Sequence, residues 1–448
     1  METRDRPRAK TPAGISQHRA YRAAAAACPP IGGTATVRDR LRPLPAPQGP
    51  EVATTTTAEL PPLDPRDYLA IDALLGEDEK AVRDAVRQFV RQHVEPHAGD
   101  WFERGFFPRD LYRDLGKLGV LGMHLAGYGL PGAGAVAYGL ACLELEAGDS
   151  GVRSAVSVQG SLAMFAIWRL GSEEQRALWL PPMHAGEVIG CFGLTEPDAG
   201  SNPSAMRTHA RRAGADWILN GTKMWITNGS NADIAIVWAR TDEGEIRGFI
   251  VEKDMPGFTA PEMRNKLSLR ASVTSELVLQ DVRVPADSML PGAATLRGPL
   301  ACLNEARFGI VFGAAGAGRA CFEAALDYAQ ERIVFEKPLA AYQLTQEKLA
   351  EMALEGNRAT LVAIHLGRMK EHGTLRPEHV SMGKMGNVRG ALDVARAART
   401  ILGASGVTLE YPVMRHMNNL ESVLTYEGTH EVHMLIVGEA LTGSSAFR

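Results

Sequence analysis

The sequence predicts an α+β protein of three successive parts: an N-terminal helical domain, a middle antiparallel β-barrel and a C-terminal four-helix bundle. Three observations predict it. Apolar residues recur at helical spacing from about residue 77. Near residue 188 the period shortens, and segments rich in Val, Ile and Trp alternate with Gly, Asn and Asp. After about residue 296 long helical patterns return. The chain has 448 residues, enough for several domains and a large core. The expected boundaries are a tail at 1–60, the helical domain at 61–187, the barrel at 188–295 and the bundle at 296–448.

The first 50 residues carry eight Arg, one Lys and eight Pro against Glu2, Asp5 and Asp39, with no apolar period. That composition reads as a disordered tail. A transit peptide and a start codon placed upstream of the true one fit it too. Val82, Val86, Phe89, Val90 and Val94 then mark a helix, and Pro108 opens another through Leu111 and Leu115. Helices follow at 133–147, 154–170 and 173–184. The uncharged run between Lys117 and Glu144 is broken by seven glycines and Pro131. It reads as a loop between buried helices, not a membrane span. The strands are VIGCFGLT, ADWILNG, TKMWITN, ADIAIVWAR, IRGFIVE and SELVLQDVRV. Four long helices at 301–335, 341–371, 376–402 and 428–441 suggest an antiparallel bundle.

Composition narrows the function. A net charge of −4 argues against a nucleic-acid binder. Cys28, Cys142, Cys191, Cys302 and Cys321 form no C-x-x-C pair, which indicates a reducing compartment and no disulfide framework. His430 and His433 stand three apart without a third ligand nearby, so no metal site is expected. Gly313, Gly316 and Gly318 loosely imitate a dinucleotide loop, but no strand precedes them, and close helix packing is the better reading.

Two segments could carry chemistry. CFGLTEPDAGSN, Cys191 to Asn202, is rich in glycine and oxygen. Its N–H and hydroxyl groups could grip a polar ring or phosphate, or it could be an ordinary loop. LTYEGTHEVH, Leu424 to His433, puts Glu427 at the mouth of a helix. Taken alone, that carboxylate reads as a cap before it reads as a catalyst.

Together with KMWITN and RIVFEKP, these segments resemble the acyl-CoA dehydrogenase family, in the family's order and over residues 65–448. The resemblance implies the same helical domain, β-barrel and four-helix bundle, FAD as cofactor, an acyl-CoA substrate, electron-transfer flavoprotein as acceptor and a homotetramer. AYGLACLELEAGDSGVRSAVSVQGSL, KLSLRAS and RHMNNLES are nearest to the members acting on glutaryl-CoA. By that likeness Glu427 is the catalytic base, and Arg153, oriented by Glu146, grips the far carboxylate of a dicarboxylyl-CoA. Read alone, Arg153 and Glu146 are a structural salt bridge. Ser154, Thr227 and Tyr426 match other residues around that carboxylate. Arg307 faces the substrate pocket, with Ser201 and Gly428 also at the substrate.

The resemblance also implies that Phe192, Leu194, Thr195, Ser201, Trp225, Ile226, Thr227 and Thr429 hold the flavin. Arg332 and Gln343 reach the FAD of a neighbouring subunit, lined by Leu402, Gly403 and Ala404. Trp225 alone reads as core, and Arg332 alone as a solvated helix charge. Glu336 stands after Phe335 where the family often has Gly, which implies an unfavourable carboxylate near a pyrophosphate. Ala404 replaces the second of paired glycines.

The implied reaction is oxidative decarboxylation of glutaryl-CoA to crotonyl-CoA and CO₂. Alternatives are a dehydrogenase that does not decarboxylate, one for another short acyl-CoA, and a catalytically silent acyl-CoA binder. The 38 Arg against 10 Lys point to a GC-rich bacterial genome and a cytoplasmic protein; a eukaryotic source would place it in the mitochondrial matrix.

Overall fold

The computed structural model describes residues 62–447; the expected tail at 1–60 lies outside them. The N-terminal helices are α1 (Glu77–His93), α2 (Glu95–Arg104) and α3 (Leu111–Lys117). A small hairpin, β1 (Ala126–Gly127) with β2 (Leu130–Pro131), occupies the glycine-rich run. Then come α4 (Ala135–Gly148), α5 (Ser150–Ser157), α6 (Phe165–Leu170) and α7 (Glu173–His184). Helix α1 starts where the Glu79 carboxylate accepts the Gly76 N–H at 2.8 Å, and it buries Val86, Phe89 and Val90. A π-helical segment, Val158–Met164, joins α5 to α6. Such segments cluster at functional sites, and no sequence signal announced this one.

The middle part is the expected β-domain, most of its strand pairs antiparallel. It is one sheet of β3 (Gly190–Gly193), β4 (His209–Ala213), β5 (Asp216–Thr227), β6 (Ile234–Thr241), β7 (Ile246–Glu252), β8 (Phe258–Thr259) and β9 (Thr274–Val284). Strand order is β3-β6-β4-β5-β9-β8, with β7 on the other edge of β6. The pairs β3–β6 and β4–β6 are parallel. Long excursions between β3 and β6 allow this, because parallel strands need a crossover rather than a tight turn. ADWILNG and TKMWITN, expected as two strands, are the single strand β5. Gly221, with φ of 148°, sits where its register against β9 slips.

The C-terminal part holds five helices where four were expected: α8 (Arg297–Glu331), α9 (Gln343–Glu371), α10 (Pro377–Leu402), α11 (Pro412–Thr425) and α12 (His430–Thr442). RHMNNLES lies within α11; its polar Asn pair obscured the helical period. A hairpin, β10 (Ile333–Val334) with β11 (Lys337–Pro338), joins α8 to α9.

Helix α4 is buried along its whole length, and α8 crosses it closely. A Cβ on Gly316 would stand 1.9 Å from the Leu143 carbonyl oxygen, and one on Gly313 2.0 Å from the Glu146 carboxylate. The glycine triplet is thus helix packing. Helix α8 is the one described helix long and apolar enough to cross a bilayer; 72% of that stretch is buried inside the protein, as in a core helix.

Candidate active site

The site forms where α4, α5, α8 and α10 surround the turn between α11 and α12. Helix α11 ends at Thr425, and α12 is capped by Thr429, whose hydroxyl accepts the Val432 N–H at 3.3 Å. Thr429 and not Glu427 is therefore the cap, which removes the structural reading of Glu427. Between the helices Glu427 has φ of 53° and Gly428 has φ of 99°. A non-glycine residue in the left-handed region is strained and persists only where its surroundings enforce it.

Two buried cations enforce it. Arg307 donates from Nε to the Glu427 carbonyl at 2.6 Å. Lys384, on α10 and 2% exposed, donates from Nζ to the carbonyl of Tyr426 and, at 2.7 Å, to that of Gly428. Three consecutive carbonyls are thus tied down. The Glu427 N–H has no acceptor among the described residues and is available to polarise a bound carbonyl. The Glu427 Oε2 atom is sequestered without a hydrogen-bond partner. Burial raises its pKa above 4.5, opposed by Arg153, Lys384 and Arg307.

Arg153 is fully buried on α5. Its Nε donates to Glu146 at 2.6 Å and its Nη2 to the Tyr426 hydroxyl, while Nη1 has no partner. The Glu146 Oε1 atom is likewise free. Burial alone would lower the pKa of Arg153; Glu146, Tyr426 and Glu427 outweigh it and hold the charge. The corner before α5 is fixed from α11. Asp149 caps α5 at Gly151 and receives Arg415 and Asn419, while His416 meets the Ala147 carbonyl at 3.1 Å. RHMNNLES thus acts by positioning Arg153. Ser154 is buried beside it.

The expected flavin residues divide into two groups. Phe192 and Leu194 are buried at β3, and the Thr195 carbonyl accepts the Met224 N–H at 2.8 Å, which ties the CFGLTEPDAGSN loop to β5. Buried Lys223 anchors that loop through Glu196 at 2.8 Å and the Leu194 carbonyl at 3.2 Å. Beside it the β5–β9 register slips between Lys223 and Ile226, and Trp225, with φ of 64°, turns outward. Trp225 is 59% exposed and so is not core. Ile226 stays buried, Thr227 is half-buried and Ser201 is exposed. An open indole beside a polar loop suits a flat heterocycle.

Arg332, Gln343, Gly403 and Ala404 are exposed, and Leu402 is buried. Phe335 and Glu336 form the two-residue turn of the β10–β11 hairpin, with φ of 45° and 69°. A family glycine there answers to the turn, and the Glu336 residue is exposed. Ala404 has φ of −65°, so no glycine is demanded.

Sequence reasoning missed Lys384, His433 and Gln159. His433 lies under Gly428, and burial with Lys384 and Arg307 pushes its pKa down to about 3. Gln159, on the π segment, bonds the Val188 carbonyl at 2.8 Å and the Gly190 N–H at 2.7 Å, pinning β3. Lone polar residues in apolar helices were the available signal.

The acyl-CoA dehydrogenase N-terminal, middle and C-terminal domains match residues 76–187, 191–282 and 297–442. The chain belongs to the acyl-CoA dehydrogenase family, and its cofactor is FAD. Two crystal structures of glutaryl-CoA dehydrogenase from Mycobacterium smegmatis are similar to it. One is 64% identical with a TM-score of 0.84, covering 86% of this chain and 99% of that one. The other, in complex with FADH2, is 62% identical with a TM-score of 0.85, covering 86% and 100%. The human mitochondrial short-chain specific acyl-CoA dehydrogenase is 34% identical over 378 residues, 83% of this chain and 91% of that protein.

Proposed function

We propose that the protein oxidises and decarboxylates glutaryl-CoA to crotonyl-CoA and CO₂, passing electrons to electron-transfer flavoprotein. The observation that carries this is the free Nη1 of fully buried Arg153, with its other nitrogens engaged by Glu146 and Tyr426. A buried guanidinium with one unmet donor, close to the candidate base, is a receptor for a second carboxylate. The likeness to glutaryl-CoA dehydrogenase supports the same reading.

Glu427 removes the α-proton of the thioester, whose carbonyl takes the free Glu427 N–H. The CFGLTEPDAGSN loop and Trp225 would hold FAD, which would supply the two-electron acceptor for the β-hydride. The remaining γ-carboxylate of the enoyl thioester is activated as in a β-keto acid. Carbon dioxide leaves with the electron pair delocalised onto the thioester, and the Glu427 carboxyl returns a proton to carbon. The surrounding charges suit a base that must hold and return one proton.

Arg153→Leu tests the reading. Glutaryl-CoA and butyryl-CoA share the reacting carbons and differ in the terminal anion. Losing a buried charge partner typically costs about 2–5 kcal/mol, so the kcat/KM ratio of glutaryl-CoA to butyryl-CoA should fall at least about 30-fold. An unchanged ratio assigns Arg153 a purely structural role. Product mass analysis under anaerobic conditions separates crotonyl-CoA from glutaconyl-CoA.

A further inference from the structure

We propose that Lys384 is a positioning residue for Glu427: it clamps the peptide units on either side of the base in their left-handed turn, and its charge favours the carboxylate form. The inference rests on Glu427 being the base.

Lys384 is buried at mid-helix in α10, where an amine is costly. Among the described residues it forms no ion pair, although unpaired carboxylate oxygens remain on Glu146 and Glu427. Its hydrogen bonds go instead to the carbonyls of Tyr426 and Gly428, which bracket the base. Arg307 takes the carbonyl between them. A cation spent on two backbone carbonyls of a strained turn fixes that turn's shape, and with it the aim of Glu427 and of its free N–H. A misplacement of about 1 Å costs about 100-fold in rate.

The charge acts as well. Glu427 faces Arg153 from α5, Arg307 from α8, Lys384 from α10 and Glu146 from α4, with Tyr426 adjoining it. His433, from α12, faces Lys384 and Arg307. Desolvation pulls the pKa of Lys384 down to about 7, with Glu427 opposing and the two arginines assisting. Protonated Lys384 makes proton loss from Glu427 easier.

The test is the holoenzyme with Lys384→Met, which keeps length and removes both charge and donor, and with Lys384→Gln, which keeps a donor without charge. FAD content and KM should stay within about threefold, while kcat falls about 10- to 100-fold. The acid limb of the kcat–pH profile should move up by about one unit in both variants. Lys384→Gln should recover part of the plateau rate. If Lys384→Met is recovered without flavin, Lys384→Gln carries the same two readouts. Unchanged kcat and an unmoved acid limb in the flavin-loaded variant would overturn the proposal. Glu427→Gln run alongside separates the two ideas. If it stays active, the base assignment itself fails; if it is inactive while the Lys384 variants match the wild type, only the role of Lys384 fails.

Discussion

At the residue scale the chemistry rests on a turn that only unusual backbone angles allow. Gly428, with φ of 99°, has no room for a side chain: a Cβ would stand 2.8 Å from His433 Nε2. Gly428→Ala must shift the turn, and with it the three clamped carbonyls. It should lower kcat per bound flavin at least about 100-fold; steady-state kinetics normalised to the flavin spectrum check this. Glu427→Gln keeps the shape and removes the proposed base. It should bind FAD and glutaryl-CoA yet lose far more than tenfold in turnover, about 1.4 kcal/mol. In the wild type the proposed base must be ionised to act. Its raised pKa therefore means that kcat climbs with pH through a limb above 4.5, measurable by stopped-flow flavin reduction.

At the element scale the helices that carry the site are joined by a buried carboxylate. Glu144 on α4, 1% exposed, accepts Arg319 from α8 at 2.7 and 2.6 Å and Arg87 from α1 at 2.9 and 3.1 Å. Burial alone would raise its pKa; Arg319 and Arg87 win and hold it at about 2. Because the folded value is depressed below 4.5, this stabilisation is complete above that pH and is lost as pH falls toward 2. Glu144→Gln leaves two arginines under-paired at the α1–α4–α8 junction and should cost about 3–5 kcal/mol. Denaturant titrations from pH 6 down to pH 2 should show a steep loss of stability in the wild type and a shallower one in the variant. The same α4–α8 contact explains Gly313 and Gly316: at Gly316 the α4 backbone itself fills the seam, and at Gly313 the Glu146 carboxylate does.

At the scale of the whole molecule the helical bundle leaves large apolar side chains outside. Phe335 is 87% exposed and Leu344 70%, on the hairpin and the helix α9 next to Arg332 and Gln343, while Leu441 is 76% and Met434 52% exposed on α12. Subunit contacts of a homotetramer would cover such a surface. Phe335→Asp should shift the sedimentation coefficient toward smaller species and lower the FAD content together, because the resemblance places Arg332 and Gln343 at a neighbour's cofactor. An unchanged sedimentation profile would free that surface of the role.

The order of helices, sheet and helices was legible from period alone, since burial of one face imprints itself on local spacing. The motif of Glu427 was legible as a motif, and Arg153 as a lone cation in an apolar stretch. The sequence could not say whether Glu427 caps α12, because that depends on which residue ends up at the start of the helix. Nor could it show the parallel pairings of β6, the outward turn of Trp225 or the grip of Lys384 on the catalytic turn. Those follow from segments far apart in the chain meeting in space, where long-range contacts and not local propensity set the backbone. Local physics wrote the elements; packing decided which unmatched donor and which unmatched carboxylate would face each other.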